Sequence, residues 1–227
     1  MTPHAEARGL LWSAELVVLD FDGPLTRLFP GRTFLEVTDR AKDLLVQWGA
    51  AMDDDVARHT DHVQLLRSVH ARDPAAAERL ERWCTEQEVA AAAHARPVPA
   101  AAQVVSECRR RGIALAVVTN NAPEAVDAVL AHGGPALSEL PVYGREPGRI
   151  DRLKPAPDML LEAAARAGIE PPAGVMVGDT AGDVHAATRA GMRCIGLSEE
   201  PDRLTELLRA GALAVVHHLG NLLPAPE

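Results

Sequence analysis

Four short apolar runs, each closed by turn residues and separated from the next by helix-like stretches, constrain this chain more than any other feature. They are ELVVLD at 15–20, IALAVVTN at 113–120, GVMVGD at 174–179 and RCIGL at 193–197. Such alternation describes parallel strands joined by helical crossovers. The expected fold is therefore α/β: a Rossmann-like three-layer α/β/α core around a central parallel sheet. LPVY at 140–143 and LAVV at 213–216 are weaker strand candidates. The crossover helices are legible from their ends. PEAVDAVLAHGG has Pro123 in its first turn and Gly133 just past its last, and PDMLLEAAARAG repeats the design with Pro157 and Gly168.

Between the first two strands lies a segment with several helix patterns and no strand run. It is far longer than the dozen or so residues a crossover needs. The expectation is a core domain made of 1–26 and 98–227, with an inserted helical domain at 27–97. Within the insertion, HVQLLRSVHAR and AAERLERWCTEQEVAAAAHAR each carry an apolar stripe at spacings of three and four, with charges on the remaining positions. HARPVPA at 94–100 reads as the return hinge, and its partner falls near 24–32.

Composition narrows the function classes. A formal net charge of −9 leaves no excess of Lys and Arg to neutralise a nucleic acid backbone. No apolar run is long enough to span a bilayer, and MTPHAEARGLLWSAEL does not have the pattern of an export leader. Cys84, Cys108 and Cys194 are odd in number and not spaced as metal ligands, which describes buried reduced thiols and a cytoplasmic setting.

The chemistry gathers at strand ends. The first strand ends in Asp20 and Asp22, the second in Thr119 and Asn120, and the third in Asp179 with Asp183 four residues on. One Asp at a strand end is more often a helix N-cap than a catalyst. Three coincident strand ends are harder to explain as caps, because ligands of open parallel sheets bind outside the carboxyl ends of the strands. Carboxylates crowded there repel: at ~4 Å and an effective dielectric of ~20 a pair costs about 4 kcal/mol, or roughly three pKa units. A hard cation such as Mg²⁺ relieves that crowding with all-oxygen ligands. Lys154, one of only two lysines, stands before a proline in DRLKPAPDML and supplies a compact charge for a phosphate. The Thr119 hydroxyl and the amides at the start of the following helix would complement it.

With these residues in view, the sequence resembles the haloacid dehalogenase superfamily of aspartyl-phosphate phosphotransferases. DFDGPLT is similar to its first motif, VVTN to its second, LKPAPD to its third and VGDTAGDV to its fourth, in the same order. The insertion resembles that superfamily's first type of helical cap, as in its phosphoglycolate phosphatase-like and β-phosphoglucomutase-like members. Pro24 departs from the pattern, which usually has Thr or Val there. The resemblance implies that Asp20 is the nucleophile and Asp22 the general acid. It implies Mg²⁺ held by Asp20, the Asp22 carbonyl, Asp179 and Asp183, and phosphate held by Thr119, Asn120, Lys154 and Gly23. An acid at position 22 favours a phosphomonoesterase over members that cleave carbon-halogen or carbon-phosphorus bonds. The implied partner is a small phosphorylated metabolite, without nucleic acid or membrane, acted on by a monomer or homodimer.

Other readings share parts of this pattern. A phosphomutase of β-phosphoglucomutase type uses the same core. A phospho-accepting regulatory module also combines Asp, Thr and Lys with Mg²⁺, but the large insertion and Asp22 argue against it. A non-catalytic phosphoryl-binding descendant is disfavoured because every motif acid is present. Arg27, Arg32, His59, His62 and Arg67 are candidate substrate contacts in the insertion, although solvated helix faces explain each more simply. Asp53, Asp54 and Asp55 read as a solvated loop or a helix start rather than a second metal site, and His217 and His218 have no ligand partners nearby in sequence.

Overall fold

The computed structural model describes residues 4–31 and 33–224. Six parallel strands, β1 (Leu16–Leu19), β2 (Ala114–Val118), β3 (Val142–Tyr143), β4 (Gly174–Gly178), β5 (Arg193–Leu197) and β6 (Ala214–Val216), form one sheet in the order β3-β2-β1-β4-β5-β6. Both weaker strand candidates are strands, and both lie at the edges, where β3 and β6 are short.

The helices are α1 (Ala5–Trp12), α2 (Thr33–Gln47), α3 (Asp54–Ala57), α4 (His62–His70), α5 (Pro74–Ala92), α6 (Ala101–Arg110), α7 (Pro123–Ala131), α8 (Pro135–Ser138), α9 (Asp158–Ala167), α10 (Ala181–Ala190) and α11 (Pro201–Ala210). Strand β1 is buried along its whole length, and its side chains alternate between two cores. Val17 and Leu19 pack with Leu11 of α1, Val104 of α6 and Val126 of α7. Leu16 and Val18 pack with Leu160 of α9, Val184 of α10 and Leu207 of α11. Burial on both faces is why the strand reads as an unbroken apolar run, and each such Val or Leu contributes about 1.5–3 kcal/mol. The result is the three-layer α/β/α sandwich. Helix α1 has no counterpart in the sequence reading.

Helices α2 to α5 all lie between β1 and α6 in the chain. Where the chain leaves and returns, the two passages run side by side. Val98 N donates to Leu25 O at 2.8 Å, and the Thr26 hydroxyl donates to Arg96 O at 2.9 Å. The three acids at 53–55 start a helix: Asp53 caps α3 by accepting from Val56 N, and Asp55 pairs with Arg72. All three cysteines are buried and free, and burial pushes their thiols up. Among the described residues no helix is long and apolar enough to cross a membrane.

Candidate active site

The register fixes the site. Leu19 pairs with Val117 on one side and Val177 on the other, so Asp20, Thr119 and Asp179 emerge together at the carboxyl edge of the sheet. Asp20 is buried there. Its Oδ1 accepts from Phe21 N at 2.7 Å and from Lys154 Nζ at 2.6 Å. The same ammonium lies 2.6 Å from Asp183 Oδ1 and donates to Val118 O at 3.0 Å. Burial alone would lower the Lys154 pKa, but the Asp183 and Asp20 carboxylates carry it above its ordinary value.

Asp183 has two tasks. Its Oδ2 accepts from the amides of Asp179 and Thr180 and from the Thr180 hydroxyl, which completes a capping box at the start of α10. Capping therefore accounts for part of Asp183, which serves as the third residue of the capping box behind the N-cap Thr180, while Oδ1 still faces Lys154.

Carboxylate oxygens of Asp20, Asp179 and Asp183 lie within 4.8 Å of one another. Burial and the Asp183 charge push the Asp20 carboxyl up to about 7, against the pull of Lys154. Burial, then the charges of Asp20 and Asp183, raise Asp179 well above its ordinary range. Asp179 Oδ1 is buried and has no hydrogen-bond partner. The main chain reaches this oxygen cluster because residue 23 is glycine: its φ is +107°, and an added Cβ would sit 2.5 Å from Asp179 Cγ. Hard oxygen donors, one of them orphaned, with no side chain between them and the main chain of 22–23, fit a divalent cation of the Mg²⁺ type.

This crowding has a measurable sign. A carboxyl whose pKa is raised by folding keeps its contribution below its unfolded value and loses it as pH rises through the folded value. Asp179→Asn removes that loss. In EDTA the variant should melt higher than the parent at pH 8, by the roughly 2–4 °C that ~1 kcal/mol gives in a chain of this size, and should differ little at pH 4. Added Mg²⁺ should raise the parent's midpoint more than the variant's. A lower midpoint for the variant at pH 8 in EDTA would reject charge crowding at this position.

The loop after β2 differs from expectation. The Thr119 hydroxyl donates to Asn121 Oδ1 at 3.0 Å and accepts from Asn121 N at 3.1 Å. Asn120 clamps the main chain of Lys154, accepting from its N–H at 2.8 Å and donating to its carbonyl at 3.1 Å. Ala122 N, the first amide leading into α7, donates to Glu88 Oε2 at 2.7 Å. Two of the amides leading into α7, Asn121 N and Ala122 N, are thus taken up inside the protein.

Asp22 is partly buried, with Oδ1 accepting from Leu28 N at 2.8 Å. Burial raises its pKa, opposed by the Leu28 hydrogen bond and the His62 charge. His62 is buried rather than solvated, a correction to the helix-face reading: Nε2 lies 3.0 Å from Glu88 Oε1, and the Phe29 ring stands edge-on to it. Burial works against charge on His62, but Glu88 lifts its pKa above the ordinary imidazole value. Arg67 donates to the Lys154 carbonyl at 2.7 Å. Arg27 pairs with Glu199 at the exposed surface, and His59 forms no part of the acid cluster. Arg32 lies outside the described residues. His217 packs its ring against His4 and is in no metal-binding group among the described residues.

Glu88 and Arg145 are the groups that sequence reasoning missed. Both are buried, and Glu88 receives Arg145 Nη1 at 2.9 Å and Nη2 at 3.0 Å. Despite burial, His62 and Arg145 hold the Glu88 carboxyl down to about 2. A signal existed. Ala77, Leu80, Cys84, Glu88 and Ala92 share the buried face of α5, so Glu88 stands on the stripe rather than opposite it, as does Glu81.

Comparison with known proteins agrees with this geometry. A family described as "Hydrolase: haloacid dehalogenase-like hydrolase" matches residues 14–191. Phosphoglycolate phosphatase 1 of Pseudomonas aeruginosa is 35% identical over 78 residues, which are 34% of this chain and 29% of that protein. The chain therefore spans less than a third of that relative's length in the match. Among solved structures, a phosphonoacetaldehyde hydrolase-like protein from Oleispira antarctica superposes with a TM-score of 0.69 at 18% identity, covering 92% of this chain and 90% of that one. CbbY from Rhodobacter sphaeroides, solved in complex with phosphate, gives 0.65 at 23% identity over 92% of this chain and 96% of that one. At such identities the solved structures speak for the fold.

Proposed function

The chain belongs to the haloacid dehalogenase-like hydrolases, and from that premise we propose that it is a Mg²⁺-dependent phosphatase that hydrolyses a small phosphomonoester through an aspartyl-phosphate. The observation that carries the reading is the Lys154 ammonium held 2.6 Å from both Asp20 and Asp183 beside the orphaned oxygen of Asp179. A buried cation between acids that follow two different strands, β1 and β4, is a place for a phosphoryl group, not a surface ion pair.

Asp20 Oδ1 is engaged by Phe21 N and Lys154, so the attacking atom is Oδ2. Its lone pair forms the new bond to phosphorus as the bond from phosphorus to the ester oxygen breaks. Asp22, whose pKa burial raises, gives its proton to the departing oxygen. In the second half Asp22 takes a proton from water, the water oxygen bonds to phosphorus, and the bond to Asp20 breaks, releasing phosphate. Lys154 stabilises the phosphoryl oxygens through transfer. Thr119, Asn120 and Gly23 act mainly through backbone placement, with Asn120 fixing the Lys154 main chain.

Asp20, the Asp22 carbonyl and Asp179 would hold Mg²⁺, with Asp183 bound directly or through water. When bound, the cation neutralises the crowded acids and the charge of the phosphoryl group. Residues 27–97 act as a cap over the core of 1–26 and 98–227 and shield the intermediate from stray water. The phosphatase and CbbY likenesses support a phosphorylated small molecule as substrate.

The test is phosphate release from a panel of small phosphomonoesters with Mg²⁺ and with EDTA. Multiple turnovers that EDTA abolishes are expected. No release from any ester by Mg²⁺-loaded protein would end the phosphatase reading and move phosphoryl transfer between sugar positions ahead of it.

A further inference from the structure

The inserted helices grip the main chain of both loops that carry the candidate phosphoryl contacts, and they do so with buried charge. On the loop after β2, Glu88 of α5 accepts from Ala122 N at 2.7 Å, and the Asn120 carbonyl accepts from Arg145 Nη1 at 2.9 Å. Arg145 belongs to the loop after β3 and also donates to the Thr85 hydroxyl of α5 at 3.0 Å. On the Lys154 loop, the Lys154 carbonyl accepts from Arg67 of α4. Farther out, Glu81 of α5 accepts from Gly148 N at 3.0 Å. His62 closes the cluster against Glu88.

Stability alone is a poor reason for this arrangement. Removing two charges from water costs several kcal/mol per ion, and apolar side chains of similar volume commonly stabilise a core as well or better. A buried ion cluster earns its place where two arrangements must be told apart. Here the Glu88 carboxylate, the Arg145 guanidinium, Ala122 N and the Asn120 carbonyl are partnered as described only when α5 is seated against the loops after β2 and β3. If α5 moved away, Glu88 and Arg145 would be hydrated, while Ala122 N and the Asn120 carbonyl would lose the groups that fix them.

We propose that Glu88 and Arg145 form a docking latch: positioning residues that set the Thr119 to Ala122 main chain for phosphoryl binding only when the inserted helices are seated on the core. The latch builds on the phosphatase reading. It also reaches Lys154, because Asn120, whose carbonyl Arg145 holds, clamps the Lys154 main chain with its side chain.

The test uses the full-length Mg²⁺-loaded protein. Glu88→Gln keeps the size of the side chain and removes its charge, Arg145→Gln removes the partner, and Glu86→Gln is an exposed control on the same helix. Two quantities are measured: amide hydrogen exchange over 119–122, and the affinity for inorganic phosphate. Glu88→Gln and Arg145→Gln should each speed exchange and weaken phosphate about tenfold, the double variant should be no worse than either alone, and Glu86→Gln should match the parent. Arg145→Lys, which keeps the charge but not the two-pronged geometry, should fall between and serves if a glutamine variant does not fold. Exchange and phosphate affinity within twofold of the parent in both folded variants would overturn the latch, as would fully additive effects. Exchange needs no substrate, so it decides the latch even if the ester panel shows no turnover.

Discussion

Replacing Asp20 with Asn should abolish phosphate release, lowering kcat/KM by about 10⁴-fold or more, while leaving the protein folded. Asn preserves the oxygen that accepts from Phe21 N and Lys154 Nζ, so the local hydrogen bonding has a way to persist. What it removes is the free anionic oxygen that would attack phosphorus. The stability consequence separates loss of chemistry from loss of fold. Asp20 is pushed up to about 7, so at pH 8 the metal-free native protein carries a carboxylate in a place that disfavours it. The Asn variant escapes that penalty and should melt no lower than the parent in EDTA at pH 8. An inactive variant with an intact midpoint supports Asp20 as the nucleophile. Turnover within tenfold of the parent would reject that assignment outright.

That acids cluster where the strands end is legible in the sequence for a physical reason, whereas the role of Asp20 as nucleophile comes from the family resemblance. Strands β1 and β4 are buried throughout and β2 over its last three residues, so their apolar runs stop abruptly where the sheet meets the crevice, and the polar residues that follow are conspicuous. The edge strands were fainter because β3 and β6 have only two and three residues to declare themselves. Asn120 is visible after β2 in the sequence but its contact is not, since its partner is the Lys154 main chain 34 residues away. Glu88 was hidden differently. A glutamate on a helix is expected to face water, and the stripe reading puts charges on the remaining positions, whereas Glu88 lies four residues from both Cys84 and Ala92, on the stripe itself. Arg145 sits in a loop without periodicity, so nothing in its neighbours announces a buried guanidinium. Long-range pairing of charge is what sequence patterning does not carry.

Lys154→Met is the other substitution expected to act strongly, and it should act on both activity and stability. The side chain has nearly the same length, so packing is largely kept, but Asp20 and Asp183 lose the ammonium that lies 2.6 Å from each. Removing one partner of a buried ion pair typically costs about 3–5 kcal/mol. Here the loss depends on pH. Lys154 has its pKa raised above 10.5, so it stays charged throughout the pH range in which the carboxyls titrate. Without it, Asp20 should hold its proton to still higher pH. The variant should therefore lag the parent least in chemical denaturation near pH 4, where Asp20 is largely protonated, and fall further behind as pH rises toward 8. Mg²⁺ should narrow the gap by supplying charge beside the same acids. Turnover has no such rescue, because the cation that meets the phosphoryl oxygens is gone, and a fall of roughly 10²–10⁴-fold in kcat is expected. Equal denaturation free energies for parent and variant at pH 8 in EDTA would show that Lys154 does not neutralise the buried acids, and the role given to it in phosphoryl transfer would lose its electrostatic basis.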